Sequence, residues 1–179
     1  MRRLAPVAIL AAIAFVAAGC GGASAEEKYA DGVCTDIRDW TGQLQKSADA
    51  VRSELKSPSA QTPAAIKTQI DNAAAATTQL ASELESRKPP SSESGQEAQR
   101  QLEQLGAQLE ATVTQAKHAV EGLPANASIT EITQRLAVLL PSLQSLASTT
   151  STALEAVKAS GEKLKDGFEQ ADACKKLRG

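Results

Sequence analysis

The residues of this 179-residue chain best suited to chemistry are three cysteines, Cys20, Cys34 and Cys174, and a single histidine, His118. Thiolates serve as nucleophiles, metal ligands or disulfide partners. No two of these cysteines stand as Cys-x-x-Cys, so the spacing of a redox enzyme is absent. His118 lies off the apolar stripe of its helix, with Glu121 one turn on. One imidazole and one carboxylate fall short of a metal site. The serines lack a nucleophile elbow or a base, and no Gly-rich loop follows a strand. Carboxylates are scattered, in pairs such as Glu83/Arg87 that read as solvated helix faces. The residues supply no acid–base pair, nucleophile–base pair or metal constellation. The expectation is a protein that is not an enzyme and has no catalytic, cofactor-binding or metal-ligating residues.

Cys20 stands in a different context. Arg2 and Arg3 open the chain, and Leu4 to Ala18 is apolar throughout, with Pro6 within it. At fifteen residues this run is short for a spanning helix, which needs about 17–25 residues. It ends in Ala17-Ala18-Gly19-Cys20. Basic start, short apolar centre and small residues at a cleavage point make an export signal. The segment resembles the lipobox signal peptide of bacterial lipoproteins. The resemblance implies a cleaved signal over 1–19, lipid on the Cys20 thiol, and a place on the extracytoplasmic face of the cell membrane. Ala17 stands where that family usually has Leu, which leaves lipidation and plain secretion both open; either exports the protein. The whole chain resembles the small Ala-rich helical lipoproteins of high-GC Gram-positive bacteria, whose roles are mostly undefined.

Cleavage would remove Arg2 and Arg3, taking 19 basic residues to 17 against 21 acidic ones, a net charge of −4. That balance gives no reason to expect nucleic acid. In an exported chain Cys34 and Cys174 are read first as a disulfide, with two free thiols as the alternative.

Ala, Gln, Ser, Leu, Glu and Lys dominate, strand-like alternation is absent, and Gly and Pro punctuate a few places. The expected fold is all-α: an antiparallel up-down-up-down four-helix bundle over 29–179, tied to Cys20 by a tether over 21–28. Helices are expected at about 30–57, 63–88, 95–121 and 129–177. Their apolar stripes run through Val33, Ile37, Trp40, Leu44, Ala48, Val51 and Leu55; through Ile66, Ile70, Thr77, Leu80 and Leu84; through Leu102, Leu105, Leu109 and Val113; and from Ile129 to Ala171. Thr62-Pro63, Ser94-x-x-Glu97 and Ser128-x-x-Glu131 read as helix starts. Trp40-Thr41-Gly42 matches a Trp-x-Gly turn motif, yet the stripe continues on both sides, so Trp40 reads as core.

In an up-down bundle Cys34 and Cys174 fall at the same end. Their pairing sets Trp40 level with Phe168. The same register leaves the start of the fourth helix longer than its neighbours, so the chain is expected to bend near Pro141. Ile129, Ile132, Leu136, Leu139 and Leu140 then either fold over the distal end or form a strip for a protein partner. Residues 129–146 are also a candidate contact for a second copy. A carrier of an apolar ligand between the helices is the alternative function, suggested by small seam residues such as Ala73, Ala116 and Gly161. Arg87, Lys88, Lys175, Lys176 and Arg178 are expected at the membrane-facing end, either to meet anionic headgroups or to complement helix C-termini.

Overall fold

The computed structural model describes residues 22–124 and 126–178, with the side chains of 138–145, 147 and 178 outside that description. Cys20 and the apolar run before it therefore lie outside the described residues. Six helices account for most of what is described: α1 Ala25–Lys56, α2 Thr62–Ser86, α3 Glu93–Glu121, α4 Ile129–Ala159, α5 Glu162–Gln170 and α6 Asp172–Arg178. There is no strand among the described residues, and no helix is long and apolar enough to cross a membrane. The all-α reading holds.

Helix boundaries follow capping chemistry. Ser24 accepts the Glu27 backbone N–H at 3.0 Å and starts α1. The linker after Cys20 therefore ends at Ser24, not at residue 28 as expected. The start of α3 is also earlier: Ser92 caps Gly95, while Ser94 and Glu97 lie inside the helix and Glu97 pairs with Arg100. Ser128 and Glu131 form the expected reciprocal capping box at the start of α4.

Consecutive helices pack on one another, and α1 also meets α5 and α6. Side-chain bonds from α1 to α2 and the segment just after it run Glu54–Thr62, Trp40–Thr77 and Asp36–Arg87, one index falling as the other rises. Those two helices are antiparallel. Asp71–Lys117 and Leu84–Gln99 give the same result for α2 and α3, and Arg135–Ala119 with Gly161–Ser94 for α3 and α4. One buried cluster joins Val33, Ile37 and Trp40 of α1 to Leu80 and Leu84, to Leu102, Leu105 and Leu109, and to Leu146, Val157, Leu164 and Phe168. Each large aliphatic side chain fully withdrawn from water contributes roughly 1.5–3 kcal/mol.

The single fourth helix expected over 129–177 is three helices. The backbone stays helical through Pro141, so the helix does not break there, and the interruptions fall at Ser160–Gly161 and Ala171. Glycine is needed at the first of these: a Cβ on Gly161 would sit 2.9 Å from the Ser94 Cβ. The second break lets α6 turn onto α1. Gly167 lies against the Glu26 backbone, where a Cβ would approach to 2.8 Å. Phe168 therefore sits by the first turn of α1 and is not level with Trp40. The register that made the fourth helix look too long assumed one unbroken helix.

Candidate functional site

Of the five residues expected to form a partner strip at the distal end, Ile132 and Leu136 are covered by the protein itself. Ile132 is fully buried, and Leu136 is half-buried against Ala116 and Val120 near the end of α3. Arg135 Nη1 donates to the Ala119 carbonyl at 3.3 Å, which ties this turn of α4 to α3. Ile129 is the one large apolar side chain exposed among the described residues. Leu139 and Leu140 have side chains outside the description. The expected register placed the strip beyond the end of α3, where it would either fold over the distal end or meet a partner; Ile132 and Leu136 lie against the protein.

The functional groups that the fold does gather lie at the opposite end, where α1 begins. Cys34 and Cys174 are joined by a disulfide with Cα atoms 5.0 Å apart, and both are buried. Asp31 Oδ1 accepts the Ala173 backbone N–H at 2.8 Å, so a side chain of α1 caps α6. The short α6 is thus held by a covalent bond, a charged hydrogen bond and the burial of Ala171, Ala173 and Cys174.

Beside the disulfide, Arg87 reaches back from the end of α2 and pairs with Asp36 through Nε and Nη2. Its guanidinium lies over Gly32, where any Cβ would collide with it. Burial pushes the Asp36 carboxyl above its ordinary range, and the Arg87 bond offsets part of that. Deeper still, the Tyr29 hydroxyl donates to Gln99 Oε1 at 3.0 Å. Gln99 Nε2 in turn donates to the Leu84 and Glu85 carbonyls at 2.8 and 3.1 Å, which the end of α2 leaves without helical partners. Burial raises the Tyr29 phenol to about 12. Trp40 Nε1 donates to Thr77 Oγ1 at 3.0 Å, a core anchor with its polar atom satisfied.

A surface groove of about 520 Å³ opens at this end, between the first turns of α1 and the end of α2. Ala25, Lys28 and Tyr29 form one wall, and Ser86, Arg87 and Lys88 the other, with Glu83 at its side. A second groove of about 500 Å³ runs between α3 and α4, lined by side chains such as Gln101, Gln104, Gln108 and Thr152. Both open to solvent and carry polar walls. The small seam residues support close helix approach: a Cβ on Gly106 would lie 3.3 Å from Ala81.

His118 is exposed and bonds Glu121 at 3.0 Å, and no cluster of three metal-ligating side chains occurs among the described residues. The basic set expected near the membrane is divided by pairing. Arg87 is taken by Asp36 and Lys175 by Asp172, while Lys88 stays in the groove. Lys28 escaped the sequence reading because it fell in the expected tether, and Tyr29 because it stood just before the first expected helix. The Ser24-x-x-Glu27 start was the signal that would have placed them on a helix. Asp36 escaped because Glu83, one turn away, was the nearer partner for Arg87; Glu83 instead accepts from Gln79.

No protein-family model, curated protein or solved structure matches the chain.

Proposed function

We propose that the chain is a bacterial lipoprotein, held on the extracytoplasmic face of the cell membrane by lipid on Cys20. Its role is non-enzymatic, in binding a protein partner or in envelope structure. The helical body is a four-helix up-down bundle in which α4 and α5 make the fourth side and α6 turns onto α1. The antiparallel contacts of α1 with α2, of α2 with α3 and of α3 with α4 support that topology.

The observation that carries the reading is the disulfide. A bridge joining residues 140 positions apart belongs to an oxidising compartment, and the lipobox-like N-terminus supplies the route there. The site of attachment fits the fold as well. Four residues, 21–24, separate Cys20 from α1. Fully extended, that stretch reaches about 13–18 Å, so the disulfide end of the bundle would face the lipid.

The test is mass spectrometry of the N-terminal peptide from membranes of the producing bacterium. A peptide beginning at Cys20 with a diacylglyceryl group supports the proposal, and its loss in Cys20→Ala confirms the attachment point. An unmodified N-terminus on protein recovered from the medium overturns the anchor. Alkylation of Cys34 and Cys174 without prior reduction overturns the oxidising compartment.

A further inference from the structure

We propose that the groove between the start of α1 and the end of α2 binds the phosphate of an anionic phospholipid headgroup. The proposal rests on the membrane anchoring inferred above and names the lipid surface as partner of this site. Lys28 projects into the groove from α1 and Lys88 from the segment just after α2. Neither has an ion-pair partner among the described residues. Ala25, Lys28 and Tyr29 stand at positions i, i+3 and i+4, one face of the helix. Glu26 turns to the other side, where its backbone meets Gly167.

Arg87 adds donors without adding free charge. Asp36 occupies its Nε and Nη2, and Nη1 has no hydrogen-bond partner among the described residues. Glu83 is the one carboxylate lining the groove. Its Oε1 accepts from Gln79 Nε2 at 2.8 Å. Gln79 is neutral, so Glu83 keeps its charge, and the groove holds two unpaired ammonium groups against one carboxylate, beside an Arg87 whose own charge is met by Asp36. Ammonium groups bind phosphate as compact point charges. A volume of about 520 Å³ admits a glycerophosphate group. Ala25 is five residues beyond Cys20, at most about 18 Å of chain, so an acylated Cys20 holds the groove at headgroup depth.

The chain from Gly21 onward keeps every described helix and carries no lipid, which separates this site from the anchor. Its binding to vesicles of phosphatidylglycerol in phosphatidylcholine is compared with binding to phosphatidylcholine alone and to vesicles made equally anionic with oleate. Lys28→Gln and Lys88→Gln should each weaken binding to the phosphatidylglycerol vesicles about fivefold, and the double variant about 25-fold. Lys67→Gln, near the start of α2 and so at the other end of that helix from the groove, should change nothing. Circular dichroism and intact-mass measurement confirm folding and the disulfide. Unchanged affinity in the double variant overturns the site, and an equal loss in Lys67→Gln reduces it to general charge. Equal binding to oleate vesicles removes the phosphate. Displacement by inorganic phosphate at constant ionic strength, with an affinity matching the headgroup's, makes it a free-anion site and overturns the lipid assignment. The N-terminal peptide mass reads the anchor separately from all of these.

Discussion

Removing the Cys34–Cys174 bridge should release α6 before it unfolds the rest of the protein. The bridge closes a loop of sequence separation 140, and the chain-entropy relation assigns such a loop about 5 kcal/mol. That figure assumes the native state is unchanged when the bond goes. Here α6 has seven residues, far too few to hold helix alone. Ordering seven residues costs about 7–14 kcal/mol of backbone entropy. Against this stand a charged hydrogen bond from Asp31, worth about 1.5–3 kcal/mol, its own helical bonds, and burial of small side chains at roughly 0.8 kcal/mol per methyl. Without the covalent tie, α6 detaches, and the native state regains part of the entropy that the bridge had removed. The double variant Cys34→Ala, Cys174→Ala should therefore lose about 2–4 kcal/mol, not 5.

Two probes separate local from global loss. Trp40 is the one tryptophan, and its bond to Thr77 makes its fluorescence report on the α1–α2 contact. Urea titration by this signal gives the stability, and the slope should fall slightly because the variant's native state already exposes α6. Trypsin reads α6 directly at the exposed Lys175 and Lys176. In the variant these bonds should be cut in the absence of urea while helices α1–α3 stay intact. An unchanged Trp40 transition, or protection of Lys175 and Lys176 up to the global midpoint, would refute the reasoning.

Gly167→Ala places a methyl 2.8 Å from the Glu26 backbone, which cannot move as a side-chain tip can. It should lower the urea-derived stability by about 1–3 kcal/mol and loosen α5 to trypsin at the exposed Lys165. Tyr29 holds its proton in the folded state to about pH 12, against 10.0 when unfolded. The folded state thus binds more protons between those values, and stability falls as pH rises through the window. Alkaline urea titrations should show that slope and Tyr29→Phe should lose it. Asp36, also raised, makes the folded state lose stability as pH climbs from its ordinary value through its folded one; Asp36→Asn should remove that slope. Glu131 is lowered by its bonds from Ser128, so its contribution is present above the ordinary glutamate value and is lost as pH falls, a slope missing in Glu131→Gln. Backbone hydrogen exchange should be slow from Tyr29 to Trp40 and faster from Ala48 to Lys56, where Val51 and Leu55 are only half-buried and Ala48 is exposed.

Periodicity made the helices readable, because a 3.6-residue stripe is written in consecutive residues. Ile37, Trp40, Leu80, Leu84, Leu102, Leu105 and Leu109 all entered the core as their stripes required. The cysteine pairing was readable from chain chemistry alone. What the stripe could not carry was the break at Gly161, since one glycine in an apolar seam also suits an unbroken helix. Its meaning came from Ser94, a residue 67 positions earlier. The displaced break altered the level of Phe168 and the expected overhang at the distal end. The groove was hidden for a related reason. Its cations come from a segment read as tether and from the end of α2, and the pairings that decide which charges stay available, Asp36–Arg87 and Asp172–Lys175, include one that crosses between helices.

The molecule concentrates its restraints at one end. Within the first three turns of α1 lie the Ser24 cap, the Gly167 contact, the Asp31 cap of α6 and the Cys34 bridge. Helix ends ordinarily fray, because their first N–H groups lack helical partners. A body tethered through lipid on Cys20 would receive any pull from the membrane at that first turn. Tension there would act to peel α1 from its neighbours residue by residue. The bridge interrupts that path ten residues in, because beyond Cys34 the load is shared covalently with the C-terminal helix. At the far end the second half of α1 packs loosely, with Ser47 its one buried residue. Restraint at the end of α1 nearest Cys20 and looser packing in its second half would suit a body tethered through that residue.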